Sequence, residues 1–224
     1  MGHLPRNRPG ILAAWPGGIA LAAGLALFVP AGASAQVIDR VLATVNGQPI
    51  TLSDARAAVA LGLARSAPGP DAVSSVLPQL IERELVLVEA NRYATPLPAA
   101  DAVNLRLSEV RARFASEAAF REALESCAMT ESRLRDRVRD DLRIAAYLDE
   151  RFLAAALPTD EEVARYFEAH RADFVRDGRQ LELEDARDLA RERAVAERRQ
   201  GLVADWVSQL RARADVHVVT GPMR

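Results

Sequence analysis

The spacing of hydrophobic and polar positions changes several times along the chain, and each change predicts an element. Val37 to Thr44 mixes β-branched and apolar residues and runs into Asn46-Gly47. That dipeptide accepts the positive φ angles of a type I′ turn, so Arg40–Val45 and Gln48–Ile50 are expected to form a short hairpin. Pro49 limits the second strand to an edge or a stub. Thr51-Leu52-Ser53-Asp54 then reads as a capping box with Asp in the place of Glu, opening a helix to about Arg65. Ser66-Ala67-Pro68-Gly69-Pro70 breaks the pattern. A second helix is expected from Asp71 to Tyr93, with Pro78 as a kink point and Leu80, Ile81, Leu85 and Val88 on one stripe.

Pro96 and Pro98 precede a third helix, about Ala99 to Phe114, with Val103, Leu107, Val110 and Phe114 on one face. A short fourth helix spans Glu117 to Ser126. Thr130 is a good N-cap for a long fifth helix, in which Leu134, Val138, Leu142, Ala145, Leu148 and Phe152 recur at three- and four-residue steps. Pro158 ends it, and Thr159-Asp160-Glu161-Glu162 starts a sixth through another capping box, carrying Val163, Tyr166 and Phe167 inward. Residues 175–180 read as a short polar connector. The last helix is expected from Leu183 to Ala214, with Leu189, Ala196, Val203, Val207 and Leu210 facing inward and Trp206 beside them. Asp215 to Thr220 is strand-like. A hairpin alone is marginal in water, so this terminal strand is expected to join the first hairpin in one small sheet. The fold class is thus mainly α with a small sheet formed by the N-terminal hairpin and the C-terminal strand.

Composition narrows the function. Half of the 224 residues are hydrophobic and 27% are charged, which suits one ordinary folded domain rather than a disordered chain. All 29 basic residues are Arg. Arg6 and Arg8 precede an apolar stretch, Ile11 to Val29, and Ala31-Gly32-Ala33-Ser34-Ala35 follows. A basic start, an apolar middle and small residues at −3 and −1 make residues 1–35 an expected signal peptide, cleaved after Ala35 and directing the chain to the periplasm. No stable membrane insertion is expected once it is removed. The rival expectation is that the apolar stretch is kept as an anchor.

Because the leader holds two arginines and no acid, its removal takes the formal charge from −2 to −4. That mild acidity argues against nucleic acid as a partner. A single cysteine, Cys127, excludes an internal disulfide and a thiolate zinc cluster. After the leader only His170 and His217 remain. Each lacks a nucleophile or metal partner nearby in sequence, so surface or structural roles are expected for both. Cys127 reads as a small, partly buried hydrophobe. The Arg/Asp/Glu runs at Arg133–Arg143 and Glu182–Arg199 read as solvated helix faces, with pairs such as Asp140–Arg143 and Asp188–Arg191 adding a few tenths of a kcal/mol, roughly, each. No catalytic residue, cofactor or metal site is nominated.

This order of elements resembles the N-terminal chaperone module of the SurA/PpiD/PrsA group of envelope folding factors. The resemblance rests on residues 37–51, running from Val37-Ile38-Asp39-Arg40 through Asn46-Gly47-Gln48-Pro49-Ile50-Thr51, with Ser53-Asp54 after them. Leu80-Ile81-Glu82-Arg83-Glu84-Leu85-Val86, Thr159 to Val163 with Tyr166 and Phe167, and the return from Trp206 to Val219 carry the rest. It implies one chaperone domain over residues 36–224, with 36–174 as its first part and 181–224 completing it. In relatives that bear a parvulin-type prolyl isomerase, that domain sits between the last two elements. Here only the connector around Gly178 fills the place, so the resemblance implies a chaperone module without the isomerase.

The function so implied is an ATP-independent holdase for unfolded polypeptides, including outer-membrane proteins, working without a cofactor. Two other readings stand beside it: a prolyl isomerase with residual activity, and an envelope adaptor bound to one fixed partner. A homodimer would arise by swapping the terminal strand between protomers. A holdase needs exposed apolar surface flanked by charge. Phe114, Phe120, Leu124 and Met129 cluster at the junction of the third to fifth helices. They either line such a polypeptide-binding surface or form the core of the helix packing, the commoner fate of apolar residues at helical spacing.

Overall fold

The computed structural model describes residues 39–219; the expected leader and its cleavage site lie outside them. Val41–Val45 (β1) and Gln48–Thr51 (β2) pair antiparallel around Asn46 and Gly47, whose φ angles of 50° and 82° are those the Asn-Gly turn predicts. The Asp54 N–H donates to the Thr51 hydroxyl at 3.2 Å, and the Thr51 N–H donates to the Asp54 carboxylate at 2.9 Å. This capping box starts α1, Leu52–Ala60.

Helix α1 stops well short of Arg65, and Gly62 is the reason. At φ +62° it lets the Leu63 N–H donate to the Ala58 carbonyl at 2.9 Å and its own N–H donate to the Val59 carbonyl at 3.2 Å. These are the paired bonds that close a helix on a left-handed residue. The Arg113 guanidinium then seals the exposed end, donating to the Gly62 carbonyl at 2.6 Å.

After a 3₁₀ turn at Gly69–Asp71 comes α2, Ala72–Arg92, with Pro78 inside it. Then follow α3 (Ala100–Arg111), α4 (Glu117–Ser126) and α5 (Glu131–Ala156). The Ser116 and Thr130 side chains cap the last two, each accepting a main-chain N–H. Helix α6, Asp160–Ala169, opens on the predicted Thr159–Glu162 box. The expected polar connector is instead a second hairpin: Val175–Arg176 (β3) pairs with Arg179–Gln180 (β4) around Asp177 and Gly178, both at positive φ. Asp-Gly is a strong hairpin signal, and it outweighs the polarity of its neighbours.

The chain then runs through α7, Leu183–Arg213, to β5, Val216–Val218. This last strand pairs antiparallel with β1, Thr44 opposite His217, giving a sheet of order β2-β1-β5. The molecule is mainly helical, with a small sheet joining its N-terminal hairpin to its C-terminal strand, as the hydrophobic pattern predicts.

Among the described residues three apolar clusters hold these elements. The largest lies under the sheet, where Leu42, Val45 and Ile81 meet Tyr147, Trp206 and Leu210 from the middle of α5 and the end of α7. A second gathers the end of α1, α3, α4 and the first half of α5. The third joins Val163 and Phe167 of α6 to Phe174 and to Ala186 and Ala190 of α7. Small residues one turn apart there let α6 lie close against α7. The two long helices therefore each serve two clusters. Ala145 and Ala196, expected inward, are exposed, because the buried stripe shifts around each helix as its partner changes. Ala194 and Tyr147 are buried in their stead.

Helix α6 is held on α7 electrostatically as well. Arg198 forms a two-pronged pair with Glu162, at 2.6 and 3.2 Å, while Glu162 also accepts the Thr159 N–H at 2.8 Å. The Arg198 hydrogen bond is the chief cause that takes the Glu162 carboxyl from its ordinary 4.5 to about 2, and the main-chain bond from Thr159 adds to it. A depressed carboxyl stabilises the fold fully above its ordinary pKa and loses that contribution as pH falls towards 2. Urea unfolding between pH 5 and 2 should therefore show a shallower loss of stability in Glu162→Gln than in the parent. Parallel slopes would show that the pair does not operate in solution.

Candidate functional site

A cleft of about 620 Å³ opens between α2, α5 and α7. One face of α7 builds its long wall, with Arg199, Val203, Val207 and Arg211 at four-residue steps. Leu148 of α5 and Glu82 of α2 close the other side. An adjoining hollow of about 470 Å³ shares Glu82, Leu148, Val203 and Val207 with it and runs on between α2 and α5 to Arg83 and Asp141. The two form one trough with an aliphatic floor and charged rims. Each hollow has a size within the range of ligand-holding clefts.

The floor exists because Val203 and Leu148 are only half-covered: they pack on the main core from outside and leave their other sides to the trough. The rims differ in how far their charges are satisfied. Arg199 pairs with Asp149 through Nη2 at 2.6 Å, but its buried Nε has no acceptor. Arg211 and Glu82 are without a partner among the described residues.

At the far end of the trough the charges are dense and mutually paired. Arg83 reaches Asp141 at 2.5 Å, Asp140 at 3.8 Å and Glu84 at 3.9 Å, and Arg137 also meets Asp141 at 3.3 Å. The Arg83 and Arg137 side chains are about 15% exposed, so Arg137 is enclosed within a run expected to be a solvated face, while Arg133, Arg135 and Asp136 of that run do stay exposed. Burial pushes the Glu84 carboxyl up, the Arg83 charge opposing it. Burial likewise pulls Arg137 down, aided by the Arg83 charge beside it. Nor does the expected Asp140–Arg143 pair form. Arg143 leaves α5 to donate to the Thr95 carbonyl at 2.7 Å and to the Asn91 side chain at 2.5 Å, pinning the end of α2.

The four residues proposed to line a polypeptide-binding surface are brought together, but not on a surface. Phe120 and Leu124 are 1% and 4% exposed and sit in the second cluster with Leu134 and Val138. Phe114 meets the Phe120 ring edge-on at 5.5 Å, and it and Met129 cover the cluster half-buried. They are core residues of the helix packing. Cys127 is buried beside them, donating to the Ala123 carbonyl, with burial raising its thiol pKa.

His170 and His217 go separate ways. His170 ends α6, its ring stacked on Tyr166 at 4.2 Å and its Nδ1 2.9 Å from the Tyr166 carbonyl. His217 is exposed on β5, 2.8 Å from Asp215. Among the described residues no group of three His, Cys, Asp or Glu side chains is placed to hold a metal ion, and no helix is long and apolar enough to cross a membrane.

What the residue pattern alone did not bring out was the trough. Its one sequence signal is the bracketing of Val203 and Val207 by Arg199 and Arg211 at constant four-residue spacing. Such spacing is equally that of a core stripe, and only the packing of α2 and α5 shows which face stays open. The chain matches no model of a known protein family, and no curated protein is significantly similar to it.

Proposed function

We propose that this protein is an exported, ATP-independent holdase that shields unfolded polypeptides, outer-membrane proteins among them, in the cell envelope. The observation that carries the reading is the open trough between α2, α5 and α7. A holdase requires apolar surface that stays in contact with water yet does not drive self-association. The half-covered Leu148 and Val203 of the aliphatic floor are of that kind, and the arginine and glutamate rims keep the floor soluble. The sheet closed by both ends of the chain agrees with the chaperone-module resemblance in the sequence. The place where isomerase-bearing relatives carry their catalytic domain is taken here by the four paired residues of β3 and β4. The holdase reading is therefore preferred to a prolyl isomerase.

The test dilutes a urea-unfolded outer-membrane β-barrel protein into buffer with and without purified residues 36–224 and follows light scattering. Suppression near an equimolar ratio, without nucleotide and insensitive to chelator, is the expected result. A folded sample that leaves scattering unchanged over a tenfold range of ratios would remove the holdase reading. A stable stoichiometric complex with one envelope protein, together with indifference to unfolded chains, would put the adaptor in its place.

A further inference from the structure

We infer that the trough binds its polypeptide as an extended apolar segment bearing an acidic side chain at one end, with that carboxylate held by Arg211. The inference rests on the holdase reading and names the site and the chemistry of what it takes.

Arg199, Val203, Val207 and Arg211 follow one another along the wall at steps of four residues. At the α-helical rise their ends are about 18 Å apart along the axis, the span of roughly five or six extended residues. The middle of that span is apolar, with Leu148 facing the two valines across the cleft. Apolar side chains of a bound segment would rest there, each largely buried one contributing about 1.5–3 kcal/mol before the cost of ordering the chain.

The two arginines differ in what they lack. Arg199 already has Asp149 at 2.6 Å, so its charge is answered, and its Nε–H is buried out of a client's reach, leaving only the outer guanidinium nitrogens for a neutral acceptor. A neutral main-chain carbonyl suits it better than a second carboxylate, which Asp149 would repel. Arg211 is exposed and has no carboxylate of its own, so a client carboxylate supplies what the fold does not. Glu82, on the opposite wall and also without a partner, is placed to accept main-chain N–H groups of the same segment and disfavours a second acid there. The polarity follows: a carbonyl at the Arg199 end, aliphatic or aromatic side chains over the valines, and one acid at the Arg211 end.

Fluorescence anisotropy on the purified protein reads this directly, with labelled peptides acetylated and amidated at their ends so that only the side chain carries charge. A peptide of four apolar residues followed by Asp should bind about fivefold more tightly than the same peptide with Asn, the scale of one partly exposed ion pair. In Arg211→Glu the preference should pass to the Lys-ended peptide. Ala204→Arg places bulk in the cleft from an exposed position that supports no core, and should abolish binding of all three peptides while the urea midpoint stays unchanged.

Failure of the parent to bind any peptide, equal binding of the Asp and Asn peptides, or parent-like binding by Ala204→Arg would each overturn the assignment. The holdase reading is judged separately by light scattering with the same variants. Suppression that survives Ala204→Arg would keep the holdase and place its client surface elsewhere.

Discussion

Phe120→Ala is expected to lower the free energy of unfolding by about 3–5 kcal/mol, a large share of the stability of an ordinary domain. The ring is 1% exposed at the centre of the second cluster, where α3, α4 and the first half of α5 meet. Phe114 meets it in an edge contact at 5.5 Å between centroids, and the Arg111 guanidinium lies 5.0 Å from its centroid. Arg111 is itself tied to Glu117 at 3.3 Å and Glu131 at 3.2 Å, at the starts of α4 and α5, so the cavity would open beneath a cation that cannot follow it inward. Phe114→Ala, from the half-buried rim of the same cluster, should cost only about 1–2 kcal/mol, in keeping with the smaller area lost. Urea unfolding with a common m-value gives both numbers. The comparison also separates two roles for these residues. A client-contacting Phe120 would leave stability nearly intact and weaken capture; a core Phe120 does the reverse, and the folded fraction of the variant should hold clients as well as the parent does. A loss below about 1 kcal/mol would contradict the packing described here.

The elements legible in the sequence were those whose causes are local. Asn46-Gly47 specifies its own turn, and the Thr51–Asp54 and Thr159–Glu162 boxes specify their own helix starts, because donor and acceptor lie three residues apart. Gly62 was as local a signal and ends α1, but the apolar residues around it, Leu61, Leu63 and Ala64, imitate a continuing helix. Asp177-Gly178 was similarly submerged in a polar stretch.

Other features depended on partners distant in sequence. In α5 and α7 a single apolar stripe was expected where the helix turns different faces to different clusters, so Ala145 and Ala196 were expected to be buried and are exposed. The enclosure of Arg137, with Arg83 beside it, could not be read from a run of alternating charges. Whether a guanidinium is solvated or enclosed depends on how closely α2 and α5 approach, and Asp141 serves both cations only once they do. The trough has the same origin: its residues were visible, but the open side of α7 is set by where the neighbouring helices stop.

Ending the chain at Ala214, so that Asp215 and β5 are lost, should destabilise the protein by about 3 kcal/mol or more and make it self-associate. The strand is short, but its bonds close the two ends of the fold on each other: the Val219 N–H donates to the Leu42 carbonyl at 2.8 Å, and Thr44 and Val45 pair with His217 and Val216 between. A further clasp, the Asn46 N–H donating to the Asp215 carbonyl at 2.7 Å and the Asp215 N–H to the Asn46 side chain at 3.1 Å, uses the same asparagine that makes the β1–β2 turn. Three or four lost main-chain bonds at about 1 kcal/mol each give the estimate before any apolar exposure is counted. What remains is a two-stranded hairpin, which is marginal without a third strand. The central strand β1, with Leu42, Ala43 and Val45 fully buried beneath it, would become an open edge able to pair with another chain. A synthetic peptide spanning residues 214–220 should therefore restore part of the lost stability in trans by taking the vacant edge. Calorimetry gives the loss and the rescue, and light scattering gives the association. An unchanged melting temperature would mean that packing on α2 alone holds the hairpin, and that the junction of the two chain ends contributes no more than its geometry.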